Sequence, residues 1–188
     1  MRIIAGKYKG RALYCPRGPE IRPTSDKARG ALFNIIGPSI IGAAFLDMFA
    51  GTGAVGLEAL SRGAASVYAV ERDTPQVARK NAEACGAGSE EGYTLIQGDF
   101  FAEARRMRAA GARFEYLFAD PPWDKGLEED IIQAAAPLLA EGGWLVLELN
   151  KRTAPPDGGP YGLALKDTRR YGEATFHFYY DSGLPRKN

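Results

Sequence analysis

Two short stretches of this chain carry residue types whose order suits chemistry. The first is Asp120-Pro121-Pro122-Trp123. Proline has no backbone N–H, so two in a row remove two donors and leave their carbonyls to accept. A carboxylate beside a backbone carbonyl is an acceptor pair suited to an exocyclic amino group. Donation to both acceptors turns the nitrogen lone pair away from them, toward an electrophile. Trp123 adds a flat face on which a base can stack. A tight turn closed by a buried Trp is the plainer account of the same four residues.

The second stretch is Asp47-Met48-Phe49-Ala50-Gly51-Thr52-Gly53-Ala54-Val55-Gly56. Glycines there let a backbone approach a ligand and aim helix N–H groups at it. Glu71 follows Gly51 at a distance that suits a carboxylate accepting the hydroxyls of a ribose. Gly51-x-Gly53-x-x-Gly56 with Glu71 also fits a nicotinamide or flavin site. Three details favour S-adenosyl-L-methionine (AdoMet). Some forty residues precede the motif, whereas a nicotinamide fold starts near its first strand. Asp47 would repel a pyrophosphate but suits the methionine ammonium, directly or through water. Asp99, in Gln97-Gly98-Asp99-Phe100, is a further acid at a strand end and suits an adenine amino group. A helix cap is the plainer role for each of these acids.

Such groups need elements to hold them. Residues 45–48, 66–71, 93–97, 116–119 and 144–149 are short apolar runs that read as strands. Helical patterns separate them, over about 54–62, on to Ala84, around 103–110, and over 127–139. Repeated strand–helix units predict a parallel sheet with helices on both faces. In such a sheet both motifs fall at the carboxyl ends of strands, where ligands bind. The end departs from the pattern. Leu163–Tyr171 and Glu173–Tyr180 read as two strands joined at Gly172, a terminal antiparallel hairpin. The start reads as a hairpin too, Arg2–Ala5 and Arg11–Tyr14 around Gly6–Gly10. Pro16 to Pro23 follows as a loop, and Thr24-Ser25-Asp26 caps a helix. The expected organisation is a basic extension over 1–23 and an α/β domain over 24–188.

Composition supports one compact α/β protein: 188 residues, 45% hydrophobic and 25% charged. The net charge of +1 hides an asymmetry. Residues 1–30 hold eight Lys and Arg (Arg2, Lys7, Lys9, Arg11, Arg17, Arg22, Lys27 and Arg29) against Glu20 and Asp26. Such an arm is expected to bind a polyanion rather than build the core. No apolar run approaches membrane length, and the start lacks a secretory pattern, so a cytoplasmic place and no membrane partner are expected. Cys15 and Cys85 have no metal spacing. His177 has no partner acid at obvious spacing and reads as structural, and the aromatic residues around it as sheet packing. Arg105-Arg106-x-Arg108 reads as a solvated helix face.

Read in order, the chain resembles the RsmD family of 16S rRNA guanine-N2 methyltransferases. The resemblance rests on the opening Arg2–Arg11, on Arg22-Pro23-Thr24-Ser25-Asp26 and on Ala31–Ile35. It continues through Leu46–Gly53, Glu58–Ala64, Glu71, Asp120-Pro121-Pro122 and Arg170-Tyr171-Gly172. It implies a Rossmann-like fold with a mostly parallel seven-stranded sheet, a C-terminal antiparallel hairpin and a small N-terminal β-hairpin extension. It implies methylation of the 2-amino group of a guanine, with S-adenosyl-L-homocysteine (AdoHcy) as product. The partner implied is 16S rRNA in an assembled or partly assembled small ribosomal subunit, and the enzyme is expected to be a monomer. Asp47, Gly51, Gly53, Glu71 and Asp99 would hold AdoMet, with Phe49, Thr52, Arg72 and Phe100 beside them. Asp120, Pro121 and Trp123 would hold the base, with Pro122 in the same turn. Members of that family usually carry Tyr or Phe after Asp-Pro-Pro, where this chain has Trp123. Trp also occurs there in adenine-N6 enzymes, so an adenine-N6 or other amino-methyltransferase stays open. Two further classes are a nucleotide-binding oxidoreductase and a non-catalytic RNA-binding assembly factor.

Overall fold

The computed structural model describes residues 1–16, 24–123 and 125–183. The loop expected over Pro16–Pro23, the boundary at residue 23, and the cations Arg17 and Arg22 lie almost wholly outside the described residues. The chain divides into two compact units, Met1–Phe100 and Phe101–Asn188.

In the first unit, α1 (Asp26–Ile36) is followed by a 3-10 turn, β1 (Ala44–Asp47), α2 (Ala54–Ser61), β2 (Ser66–Glu71), α3 (Pro75–Cys85) and β3 (Tyr93–Gln97). Ser25 caps α1, its side chain accepting from the Ala28 N–H. Strands β1, β2 and β3 pair in parallel, with Ala44 opposite Ser66 and Val67 opposite Tyr93. Helix α2 is buried along its whole length, because Val55, Leu57, Ala59 and Leu60 cover its circumference with apolar groups. Helix α4 (Phe100–Ala109) starts directly after Asp99, earlier than the charged run around Glu103 suggests.

In the second unit, β4 (Phe114–Ala119) pairs in parallel with β5 (Leu139–Asn150), and α5 (Glu128–Ala135) lies between them in sequence. The helix expected to reach Leu139 gives way to a 3-10 turn over Ala136–Leu138. Pro137 cannot donate to the helical ladder. Strand β5 begins five residues before Trp144. Gly142 takes a left-handed φ of 71° and the register against β4 shifts between Phe114 and Tyr116, so the glycines form an irregularity inside the strand rather than a loop before it. Strands β6 (Leu163–Tyr171) and β7 (Ala174–Asp181) are antiparallel, and β7 is antiparallel to β5. Phe118 and Phe176 meet edge to face, 6.2 Å between centroids. Strand order along the sheet is β3-β2-β1-β4-β5-β7-β6, the seven-stranded, mostly parallel arrangement with a C-terminal hairpin that the sequence implies.

The opening segment is a hairpin held by three backbone hydrogen bonds, Ile3 N–H to Arg11, Gly10 N–H to Ile3 and Leu13 N–H to Met1. One expectation is overturned here. Ile3, Tyr8 and Leu13 are buried, so the segment does help build the core. Arg29, counted among its cations, is wholly buried. Its guanidinium faces Glu58 at 3.6 Å and Asp26 at 3.0 Å and donates to the Arg2 carbonyl. The sequence misled because alternating cations hide three apolar residues whose side chains all turn inward.

Candidate functional site

The first unit builds the Gly-rich turn from β1 into α2. Gly51 and Gly53 take φ of 53° and 75°, values that disfavour residues with a Cβ. A Cβ on Gly53 would lie 2.8 Å from the Tyr93 hydroxyl, and one on Gly56 would lie 2.9 Å from Val67. These two glycines therefore serve close packing of α2, while a Cβ on Gly51 would meet nothing within 4 Å. The turn opens at Gly51, which leaves room for a ligand against its backbone.

Three of the predicted acids lie around this turn, and they differ. Asp47 is buried at the end of β1, and its Oδ2 accepts the Gly56 N–H at 3.1 Å. Its Oδ1 and the Tyr93 hydroxyl are both buried and have no hydrogen-bond partner among the described residues. Burial, with Glu71 nearby adding to it, pushes the Asp47 pKa up to about 7, against the opposing hydrogen bond from Gly56. The same burial, together with Asp47, raises the Tyr93 phenol. Glu71 ends β2, half-buried. Its Oε2 accepts the Gly51 N–H at 2.7 Å, and its Oε1 accepts the Asp73 and Thr74 N–H groups, both at 2.9 Å, and the Thr74 hydroxyl. A carboxylate oxygen has about two lone-pair sites, so Oε2 retains capacity for one more donor. Asp99 is partly exposed just before α4, 3.8 Å from the exposed Arg72 guanidinium. Arg72 itself pairs with Asp73 at 3.0 Å, which holds the Asp73 carboxyl below its ordinary range. The Phe49 and Phe100 rings lie 5.6 Å apart, an aromatic pair beside these acids in sequence.

These residues fit AdoMet. An open glycine turn, a carboxylate already oriented by backbone donors, a second exposed acid and an aromatic pair match a ligand with a ribose, an adenine and an amino-acid end. Asp47 fits a direct contact poorly, because it is 1% exposed. Its buried Oδ1 suits an indirect one.

In the second unit, Asp120 follows the last residue of β4 and is half-buried. Pro121 is buried, Pro122 is exposed and Trp123 is half-buried in a turn. Neither proline supplies an N–H to that turn. His177 is buried on β7, with Nδ1 3.1 Å from the Thr168 hydroxyl, and burial lowers its pKa, in keeping with a structural role. Arg105, Arg106 and Arg108 are exposed on α4.

Several residues escaped the sequence reading. Glu58, wholly buried in α2, accepts from the Ile4 and Ala5 N–H groups at 2.8 and 3.1 Å and from Arg62 Nε at 2.8 Å. Ser61 accepts the Tyr8 N–H at 2.9 Å and donates to the Ala5 carbonyl. Asn81, buried in α3, binds both the opening segment and the Gly-rich turn. The available signal was a polar residue on an apolar helix face, Asn81 among Val77, Ala78, Ala82 and Cys85.

The family described as "Conserved hypothetical protein 95" matches residues 1–180. The ribosomal RNA small subunit methyltransferase D of Escherichia coli K12 is 40% identical over 150 residues, covering 79% of this chain and 71% of its own length. The putative rRNA methyltransferase YlbH of Bacillus subtilis is 34% identical, covering 84% and 86%. The structure of the putative methyltransferase yhhF from Escherichia coli superposes with a TM-score of 0.78 at 30% identity, covering 100% and 99% of the two chains. With its fold, its paired motifs and these relatives in agreement, this chain belongs to the RsmD family of small-subunit rRNA methyltransferases.

Proposed function

We propose that this protein transfers a methyl group from AdoMet to the 2-amino group of a guanine in 16S rRNA, leaving AdoHcy. The observation that carries this reading is the Asp120-Pro121-Pro122-Trp123 turn directly past β4, in a chain 40% identical to a small-subunit rRNA methyltransferase.

AdoMet supplies a methyl already activated on a sulfonium, so the protein's task is positioning. Glu71 takes a ribose hydroxyl on its remaining Oε2 site, and Asp99 takes the adenine amino group. Phe49, Thr52 and Phe100 line the cofactor, with Arg72 holding Asp99. Gly51 lets it approach the backbone, Gly53 keeps the turn packed against Tyr93 and Ala78, and Asp47 orders the turn from beneath. Asp120 and the Pro121 carbonyl accept the two N–H bonds of the guanine amine, whose lone pair is otherwise delocalised into the ring. Pro122 stiffens the turn and Trp123 stacks on the base. The amine nitrogen becomes acidic as it takes the methyl, and its proton passes across the hydrogen bond to Asp120 and on to solvent.

The exposed cations Arg2, Lys7, Lys9 and Arg11 provide phosphate contacts, which makes RNA binding weaken steeply with salt. The substrate is the assembled or partly assembled small subunit, acted on by a monomer in the cytoplasm. Small subunits from cells lacking the gene, incubated with labelled AdoMet, test the reading. N2-methylguanosine at one position is expected. N6-methyladenosine would favour the second reading, which Trp123 carries. AdoMet binding without transfer would leave an assembly factor.

A further inference from the structure

Both ends of the opening hairpin converge on one residue of the Gly-rich turn. Asn81 is 1% exposed and its carboxamide is spent on two segments. Its Oδ1 accepts the Tyr14 N–H at 2.7 Å, and its Nδ2 donates to the Tyr14 carbonyl at 2.9 Å and to the Thr52 carbonyl at 2.8 Å. From the other end, the Met1 sulfur lies 3.9 Å from the Thr52 hydroxyl. Thr52 is buried between Gly51 and Gly53, both in left-handed backbone, so it is the one residue of that tripeptide whose side chain can be gripped.

The same hairpin is fastened to α2, the helix that the turn opens. Glu58 and Ser61 hold the backbone of Ile4, Ala5 and Tyr8, and Lys7 N–H donates to the Ser61 carbonyl at 2.7 Å. A Cβ on Gly6 would lie 1.7 Å from that carbonyl oxygen, so the contact leaves no slack. The hairpin exposes Arg2, Lys7, Lys9 and Arg11, and α3 adds exposed Arg79 and Lys80 directly before Asn81 in sequence.

We propose that Asn81 is a positioning residue that couples the cofactor turn to the basic hairpin, so that AdoMet or AdoHcy and the RNA substrate strengthen each other's binding. This rests on the functional reading above. A side chain that bonds two backbones at once transmits a shift of either one, because moving one breaks its bond or drags the other. A cofactor that orders the turn at Thr52 thereby orders Tyr14 and the cations before it, and RNA held on the hairpin fixes the turn. Linkage makes the effect equal in both directions.

The experiment measures the Kd for unmethylated small subunits with and without saturating AdoHcy, and the Kd for AdoHcy with and without subunits. The native chain is expected to bind subunits at least about fivefold tighter with AdoHcy, with the same factor in the reverse titration. Asn81→Ala should bring both ratios close to one. Tyr14→Pro removes the N–H that Asn81 accepts, together with a half-exposed ring that Lys80 lies over, and should lower the ratio likewise. Tyr14→Ala keeps that N–H and should keep the native ratio. If Asn81→Ala fails to fold, the Tyr14 pair decides. A native ratio of one with both ligands bound, or a native ratio retained in Asn81→Ala or Tyr14→Pro, overturns the coupling and leaves the functional reading intact. Failure of the native chain to bind AdoHcy or subunits overturns that reading, and the coupling with it.

Discussion

The turns after β2 and after β4 both begin with an acid at the carboxyl end of a parallel strand, yet the residues that follow it differ in what they can donate. After β2, the chain Glu71-Arg72-Asp73-Thr74 folds its own N–H groups back onto the carboxylate, and Gly51 adds another. Glu71 is thereby fixed, with one acceptor site left. After β4, the two residues following Asp120 are prolines, which have no N–H to give. A carboxylate that holds a cofactor gains from being fixed by its turn. One that must take hydrogen bonds from a reacting amine loses if its own turn takes them first. The sequence difference Arg-Asp-Thr against Pro-Pro-Trp removes two of the three backbone donors that could follow Asp120.

If this contrast holds, the largest effect comes from the β4 turn. Asp120→Asn keeps the shape but replaces an acceptor with a donor and removes the charge. Single-turnover methylation at saturating AdoMet should slow by about 10²- to 10³-fold, with AdoMet affinity little changed. A near-native rate would refute the role of Asp120.

Asp47 comes next, as the acid that neither turn fixes. Its folded pKa of about 7 exceeds the ordinary 3.8, so the folded state binds the extra proton. Its contribution to stability is therefore fully present below about pH 4 and is lost as the pH rises to about 7. The shift corresponds to at most about 4 kcal/mol, with relaxation of the site reducing it. Asp47→Asn keeps an acceptor for the Gly56 N–H and should gain stability relative to the native chain across that window. Denaturant unfolding at several pH values measures the difference, and parallel curves for the two proteins would remove Asp47 as its source.

Glu71→Ala should weaken AdoMet binding by about 1–3 kcal/mol in calorimetry, the usual loss for charged hydrogen bonds. It should also lower thermal stability, because the Gly51, Asp73 and Thr74 N–H groups lose their acceptor. A loss of affinity alone would mean that the turn does not depend on the carboxylate, and the contrast with Asp120 would weaken. Arg72→Ala should do least. The side chain is exposed, its pair with Asp99 is long, and solvent screens it. AdoMet affinity should change by no more than a few-fold and the change should shrink in salt. A large loss would make Arg72 a direct ligand.

The hairpin also bears on how its RNA role is tested. Deleting Met1–Pro16 would uncover the core around Ile3, Tyr8 and Leu13 and strip Glu58 of its donors, so lost activity would report unfolding. Neutralising Arg2, Lys7, Lys9 and Arg11, all exposed, isolates the charge.

The sequence by itself determined the strand order of events along the chain, the Gly-rich turn with Glu71 at its spacing, and the Asp120-Pro121-Pro122-Trp123 turn. Each is a local pattern: apolar runs at strand length, glycines where φ must be positive, prolines where donors must vanish. Element ends were less legible, since Pro137 and Gly142 act through hydrogen bonds to neighbours that the local pattern does not name. What only the tertiary structure decided is which charges are spent inside. Arg29 and Lys27 look alike in sequence, but Arg29 is buried against Glu58 and Lys27 is exposed. Asn81 reads as a helix polar residue until Tyr14 and Thr52, 67 and 29 residues away, close on it from two sides. A polar side chain's partner is fixed by packing between distant segments, and no spacing along the chain encodes that distance.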